Sequence, residues 1–295
     1  MTTRWIWQHP GWPHFTWDRA ALTDVMVSAS QAQGQLQMLG RVLDPGLKLE
    51  ALAELLKVEG LSTSAIEGQM LNPASVAASV ARHLHLPVDR TAPPSRDADG
   101  LIGVLIDATE RFQEPLSETM LCAWQAALFP DSHGGFHTIA RGSLRPGEVV
   151  VSSGPMGREL IDFEAVPRSA LDENMKAFLD WFNQSRAEEN PVIRAGLAHL
   201  WLVTIHPFED GNGRVARALT DHALAQGEGR PDFLYRMSAR IEAVKAEYYA
   251  ALKQAQALSS GMDATPWLTW FITQVREACV VSELTIHRTL VKTAF

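Results

Sequence analysis

The run Ile205-His206-Pro207-Phe208-Glu209-Asp210-Gly211-Asn212-Gly213-Arg214-Val215-Ala216-Arg217 brings together the side chains that phosphate chemistry uses. His206 is the one group in it that takes up a proton near neutral pH, so it can act as a general base. Gly211 and Gly213 permit positive φ, which lets successive backbone N–H groups converge on one point. Those donors lie where the next helix begins, and the positive end of its dipole is aimed at the same spot. Arg214 and Arg217 share a helix face and add two forked donors suited to phosphate oxygens. Asp210 is misplaced beside phosphate unless a cation lies between, and a magnesium ion shared by its carboxylate and a polyphosphate resolves the conflict. Together these parts suit transfer of a phosphoryl-containing group from a metal-bound nucleotide to a hydroxyl.

Each part has a plainer reading. Alone, His206 at a helix end is a structural cap, and the two arginines alone are a solvated helix face. The adjoining Gly-Asn-Gly-Arg and the second arginine outweigh both. Gly211-x-Gly213-x-x-Ala216 also matches a dinucleotide fingerprint, but five residues (HPFED) separate it from any strand and no strand–helix alternation surrounds it. His133 and His137 have helical metal spacing, yet Gly134 and Gly135 between them favour a loop.

The elements that must position this run are helical. Apolar residues recur every three or four positions in LTDVMVSASQAQGQLQMLGRVL, LKLEALAELLKVEGLSTSAIEG and PASVAASVARHLHL. The same period returns in LIGVLIDATERF, ETMLCAWQAAL, RSALDENMKAFLDWFNQS, VIRAGLAHLWLVTI and GRVARALTDHALAQG, and in most of the remainder to Ala294. Pro207 should stop the helix before it near His206. One segment breaks the rhythm: glycines and prolines flank the β-branched run Val149-Val150-Val151, which predicts a short hairpin or flap. The opening, with Trp5, Trp7, Trp12 and Trp17 among prolines and histidines, predicts aromatics docked on another surface. The expected fold class is mainly α with one short β element. The division expected is a Trp-rich helical region over 1–90, a Pro-rich linker over 91–99, and a core with C-terminal helices over 100–295.

His206–Arg217 resembles the signature of Fic-domain proteins, H-P-F-x-(D/E)-G-N-G-R-x-x-R, at every defining position. The resemblance extends from about residue 100 to 285, including the flap and the downstream Tyr248-Tyr249 pair, and the Trp-Ile-Trp opening is similar to a region ahead of some bacterial Fic cores. It implies a Fic-like helical core and transfer of AMP from ATP to a Ser, Thr or Tyr hydroxyl of a target protein. His206 would deprotonate that hydroxyl, and Asp210 would hold Mg²⁺ on the α- and β-phosphates. Gly211, Asn212, Gly213 and Arg214 would cradle the phosphates, Arg217 would hold the γ-phosphate, and Phe208 would be buried support. Tyr248 and Tyr249 would line the nucleotide pocket, with Gln256 reaching toward the base. Val149, Val150 and Val151 would receive the target backbone as an added strand.

Thr63-Ser-Ala-Ile-Glu67-Gly68 fits the same family's inhibitory pattern, (S/T)-x-x-x-E-(G/N). Glu67 falls at a helix C-terminus with Gly68 as its cap. A carboxylate there faces the negative dipole end, at a cost on the order of 0.3–1 kcal/mol, which a distant cation would offset. By resemblance that cation is Arg217, and the pair would keep ATP from binding productively. Glu67 could also position a water that removes AMP from a modified target. A de-AMPylating hydrolase and a non-catalytic nucleotide-binding regulator therefore stand as alternatives.

Composition sets the outer bounds. The 46% hydrophobic content can build a real core, and a net charge of −8 argues against direct nucleic-acid binding and attachment to anionic membranes. Only two cysteines, Cys122 and Cys279, exclude a disulfide framework or a cysteine-rich zinc site. No apolar run reaches bilayer length and the opening lacks an apolar signal core, so a cytoplasmic location is expected. A homodimer is suggested by bacterial relatives, though no sequence feature compels it.

Overall fold

The helical periods become helices whose starts are written into the sequence. α1 (Thr23–Val42), α2 (Pro45–Ile66) and α3 (Pro73–His83) come first. The Asp44 and Asn72 side chains cap α2 and α3, each followed by proline, which gives up only an N–H that a helix start leaves unpaired. α4 (Arg96–Glu110) and α5 (Glu118–Ala127) are capped by Ser95 and Ser117. α4 thus begins inside the Pro-rich stretch read as linker. The computed structural model describes residues 4–89, 91–130, 139–153 and 160–293, so His133 and His137 lie outside the described residues.

α6 (Arg168–Gln184), α7 (Pro191–Ile205), α8 (Asn212–Glu228), α9 (Ser238–Ala243), α10 (Lys245–Ala255) and α11 (Thr265–Thr293) complete the described helices. Every residue of α7 from Val192 to Ile205 is buried. Its apolar composition all round suits a helix enclosed on every side. α8 packs along it, α6 and α11 flank it, and α4 covers α8. α2 lies against α3, α4, α8, α9 and α11, so the helix carrying Thr63 joins the same core as the His206–Arg217 run.

Among the described residues the β element is one antiparallel pair, β1 (Val150–Ser153) with β2 (Leu160–Glu164). Val150 faces Glu164 and Ser153 faces Leu160, with a register shift between Val151 and Ser152. The Trp-rich start braces it. The Trp5 ring meets Phe163 edge-on at 5.2 Å between centroids, and Trp7 Nε1 donates to the Glu164 carbonyl at 2.8 Å. Trp12 Nε1 donates to Asn174 Oδ1 at 2.7 Å, fixing the same segment to α6. Among the described residues no helix is long and apolar enough to cross a membrane.

Candidate functional site

α7 stops at Ile205 and α8 begins at Asn212, and the loop between them is held from inside. His206 caps α7 with φ 55° and ψ 61°, its N–H donating to the Leu202 carbonyl at 2.9 Å. A left-handed backbone costs a non-glycine residue roughly 1–2 kcal/mol, so the surrounding contacts must hold it. Phe208 is fully buried beneath the loop. The Asn212 side chain accepts from Phe208 N at 2.9 Å and donates to Phe208 O at 2.7 Å. Its amide is therefore spent on bracing the loop, and what it can offer a phosphate is its backbone N–H at the start of α8.

The two glycines serve different ends. Gly211 has φ 88°, and a Cβ there would sit 2.9 Å from the Phe129 ring. Gly213 does not take a positive φ, contrary to the expectation from sequence: it is an ordinary helical residue of α8. Its requirement is space, because a Cβ would lie 2.2 Å from Glu67 Oε1 and 3.1 Å from Arg217 Nη1.

α2 ends beside this loop. Glu67 is its C-cap, and Gly68 (φ 79°) turns the chain, with Gln69 N donating to Ser64 O at 3.0 Å. Arg217, 1% exposed, donates through Nη2 to Glu67 Oε1 at 2.7 Å. Its Nε donates to Thr63 Oγ1 at 2.7 Å and Nη2 also to the Thr63 carbonyl at 2.9 Å. Burial opposes the Arg217 charge, but the Glu67 carboxylate together with Tyr248 and Glu59 outweighs it and raises the pKa. Arg217 Nη1 is buried and finds no acceptor among the described residues. Arg214 Nη1 donates to Gln69 Oε1 at 3.0 Å, and its guanidinium lies 4.9 Å from the Phe129 ring centre. The end of α2 therefore holds both arginines.

His206, Gly213 and Glu67 line one cavity of about 620 Å³ with Val151, Lys245, Tyr248, Tyr249 and Gln256. Burial pushes the His206 imidazole down to about 4. The nearby Arg145 cation adds to this, and the Val203 carbonyl and the Glu67 and Asp210 carboxylates oppose it. His206 Nδ1 lies 3.3 Å from the Val203 carbonyl. That contact suits a neutral ring protonated at Nδ1, with the lone pair left on Nε2. Asp210 keeps 56% of its side chain exposed, its Oδ1 accepting from Gly211 N at 2.5 Å and lying 3.9 Å from Arg214 Nη2. Among the described residues no three His, Cys, Asp or Glu side chains gather as a metal site. One open carboxylate beside the start of α8 nevertheless fits Mg²⁺, which keeps its waters and takes one or two carboxylates together with phosphates.

The residues expected to line a nucleotide pocket divide by burial. Tyr248 is buried, its hydroxyl 2.9 Å from His199 Nε2, while His199 Nδ1 lies 2.9 Å from Thr220 Oγ1. Burial raises the Tyr248 pKa, so the phenol stays protonated. Tyr249 is 44% exposed, its hydroxyl donating to the Ile66 carbonyl at 3.4 Å. Gln256 lines the cavity, yet its Nε2 donates to Thr204 Oγ1 at 3.3 Å. Of the flap residues, Val150 is half-exposed, Val151 lines the cavity, and the Val149 carbonyl accepts from Ala165 N at 3.1 Å.

Three functional neighbours escaped sequence reasoning: Gln69, His199 and Arg145. Gln69 lies just past Glu67 and could have been found from the turn that Gly68 makes. His199 lies two turns before His206 on an apolar helix, which reads as core. Arg145 lies among Gly and Pro residues, where a charged side chain reads as solvated.

Two family models match the chain. A Domain of unknown function (DUF4172) covers residues 5–86, and the Fic/DOC family covers residues 115–224. Protein adenylyltransferase fic-1 of Caenorhabditis elegans is 30% identical over 197 residues, 65% of this chain and 35% of that protein. Protein adenylyltransferase Fic of Nematostella vectensis is 35% identical over 123 residues, 41% of this chain and 25% of that protein. The chain thus spans about a third or less of the length of these curated relatives. Among solved structures, a Fic family protein from Desulfovibrio desulfuricans superposes with TM-score 0.68 at 22% identity, over 92% of this chain and 76% of that one. A Fic domain containing signaling protein from Bacteroides thetaiotaomicron gives TM-score 0.66 at 19% identity, over 89% and 97%. These two likenesses show the fold.

Proposed function

From the premise that residues 115–224 are a Fic domain behind a DUF4172 region, we propose that the pocket moves AMP from ATP to a Ser, Thr or Tyr hydroxyl of a target protein. With the Glu67–Arg217 pair formed, Glu67 holds it closed. The observation that carries this is the meeting of His206, Gly213 and Glu67 in one cavity, with Glu67 bonded to Arg217 at 2.7 Å. Both named relatives are called protein adenylyltransferases.

In this reading the Val203 carbonyl fixes the His206 tautomer, and Nε2 accepts the proton of the target hydroxyl. The hydroxyl oxygen bonds to the α-phosphorus as the bond to the α,β-bridging oxygen breaks. Pyrophosphate departs, and the proton rests on His206 for release to water. Backbone N–H groups at the start of α8 and the Arg214 guanidinium steady the phosphates. Bound at Asp210, Mg²⁺ would neutralise charge on the α- and β-phosphates. Arg217 is the cation for the γ-phosphate. Its Nη2 and Nε are occupied by Glu67 and Thr63, and the Glu67 carboxylate borders the same space at Gly213 that the unpartnered Nη1 faces, so a triphosphate seated for attack must displace Glu67.

The test is incubation of Glu67→Gly with α-labelled ATP and Mg²⁺. Label should appear on the protein itself or on a target, and a further His206→Ala change should abolish it while ATP binding by calorimetry persists. Absence of label in Glu67→Gly, with ATP still bound, overturns the reading.

A second reading rests on Glu67 lining the cavity with a third of its side chain exposed. A carboxylate so placed can orient water for removal of AMP from a modified target. That activity must depend on Glu67, so equal AMP release by Glu67→Gly from a pre-modified target excludes it.

A further inference from the structure

Arg145 is completely buried, and its closest ionic neighbour among the described residues is the exposed Glu148 at 3.9 Å. Burying a cation without a close carboxylate costs several kcal/mol, and a packed apolar side chain would serve stability as well or better. What Arg145 has in exchange is geometry. Nε donates to the His206 carbonyl at 2.8 Å, Nη1 to the Gly147 carbonyl at 2.6 Å, and Nη2 to the Val166 carbonyl. Its backbone N–H donates to the Pro207 carbonyl at 2.9 Å. Gly147 and Val166 are the two roots of the β1–β2 pair, one before β1 and the other after β2. One planar fork therefore grips both roots of the flap and the carbonyl of the left-handed residue that presents the imidazole, while the Arg145 backbone N–H takes the next carbonyl.

We infer that Arg145 is a positioning residue that locks the flap to His206, so that a hydroxyl carried by a strand laid on the flap meets the imidazole at a fixed distance. This rests on the AMP-transfer reading, which supplies the hydroxyl and the base. Lysine cannot replace the residue, because an ammonium is a point donor and cannot span three carbonyls in a plane.

The charge of Arg145 has a second consequence. His206 is faced by Arg145 from the loop before β1, by Glu67 from the end of α2 and by Asp210 from its own loop. Asp162 of β2 and Lys245, Tyr248, Tyr249 and Lys253 of α10 line the same cavity, and Arg168 at the start of α6 faces Arg145. Arg145 is the cation that most opposes protonation of the imidazole.

The experiment compares Arg145→Lys and Arg145→Met in the Glu67→Gly background. Both should lose target transfer by kcat, on the order of 10²-fold for a misplacement of about an ångström, with ATP affinity held within a few-fold. In Arg145→Met the His206 imidazole should titrate higher by NMR than in the parent, and in Arg145→Lys it should not. Amides of Val151 and Phe163 should exchange faster in both. Undiminished kcat in Arg145→Lys, or parallel loss of ATP affinity, overturns the inference. If the Glu67→Gly parent transfers nothing, the AMP-transfer reading fails. The Arg145→Met titration and the amide exchange of both variants then decide alone, and either one unchanged from the parent overturns the lock. Should Arg145→Met not fold by circular dichroism, the kcat and exchange of Arg145→Lys decide.

Discussion

Replacing Glu67 by Gln and by Gly should release the site in steps whose sizes follow from the Arg217 contacts. The Nη2–Oε1 bond of 2.7 Å is charge-assisted, and such bonds contribute about 1.5–3 kcal/mol against about 0.5–1.5 for a neutral one. Glu67 keeps 33% of its side chain in water, so the lower end applies. Glutamine retains a neutral bond and loses roughly 1 kcal/mol, whereas glycine loses about 1.5 kcal/mol or more. At tenfold per 1.4 kcal/mol, the γ-phosphate site should open about fivefold in Glu67→Gln and at least tenfold in Glu67→Gly. Thr63 still holds the guanidinium through Nε and Nη2 in both variants, so Arg217 stays where a γ-phosphate can meet it. The apo protein should lose stability in Glu67→Gly, because Arg217 is left buried without its carboxylate. Relief of the dipole conflict at the end of α2, on the order of 0.3–1 kcal/mol, offsets only part of that loss. The assay is the initial rate of AMP incorporation from α-labelled ATP, with melting temperature followed in parallel. Equal rates for wild type, Glu67→Gln and Glu67→Gly, with ATP bound alike, would refute the argument that this pair is the brake.

Gly213→Ala tests the same corner by steric means. Its Cβ would drive Glu67 away, but it would also crowd Arg217 Nη1 at 3.1 Å, where a γ-phosphate belongs. Gly213→Ala should therefore fail to activate although it breaks the clamp, and a rate matching Glu67→Gly would show that the γ-phosphate does not use this space. The pH dependence of kcat in Glu67→Gly should have its acid limb near or below 4. The imidazole is already held at about 4, and removing the Glu67 carboxylate takes away a group that raises it. The base is neutral above that pKa, so the rate should hold as pH falls through 6.5, and a limb at 6.5 would show an imidazole open to water.

Much of the scaffold was readable from local rules, and the reason differs by element. α2, α3 and α7 announce themselves through an Asp or Asn cap followed by proline. The loop from His206 to Asn212 is readable because proline and glycine restrict it so tightly. Asn212 is where local reading falls short: an amide in a phosphate-type turn suggests a ligand contact, whereas the fold spends it on the Phe208 backbone. Gly213 is a similar case, since two glycines in one turn suggest two positive φ values, and the second answers instead to a side chain arriving from α2.

Glu67 and Arg145 show where the boundary of legibility lies. Both contacts are distant in sequence: Glu67 and Arg217 are 150 residues apart, Arg145 and His206 are 61. Yet Glu67 could be singled out and Arg145 could not. Glu67 stands out by its fit to the Fic inhibitory pattern, and a carboxylate at a helix C-terminus is also in conflict with its own helix, which a distant cation relieves. A charged residue in a Gly- and Pro-rich loop is in conflict with nothing until the chain folds over it. Its cost arises only on burial, and the three carbonyls that offset that cost lie at Gly147, Val166 and His206, in segments that meet only in the folded protein. Sequence therefore reveals a distant partner where a family pattern and a local conflict fall on the same residue. It conceals one where the discomfort is created by the tertiary fold, and the residues that tie this flap to its base are of the second kind.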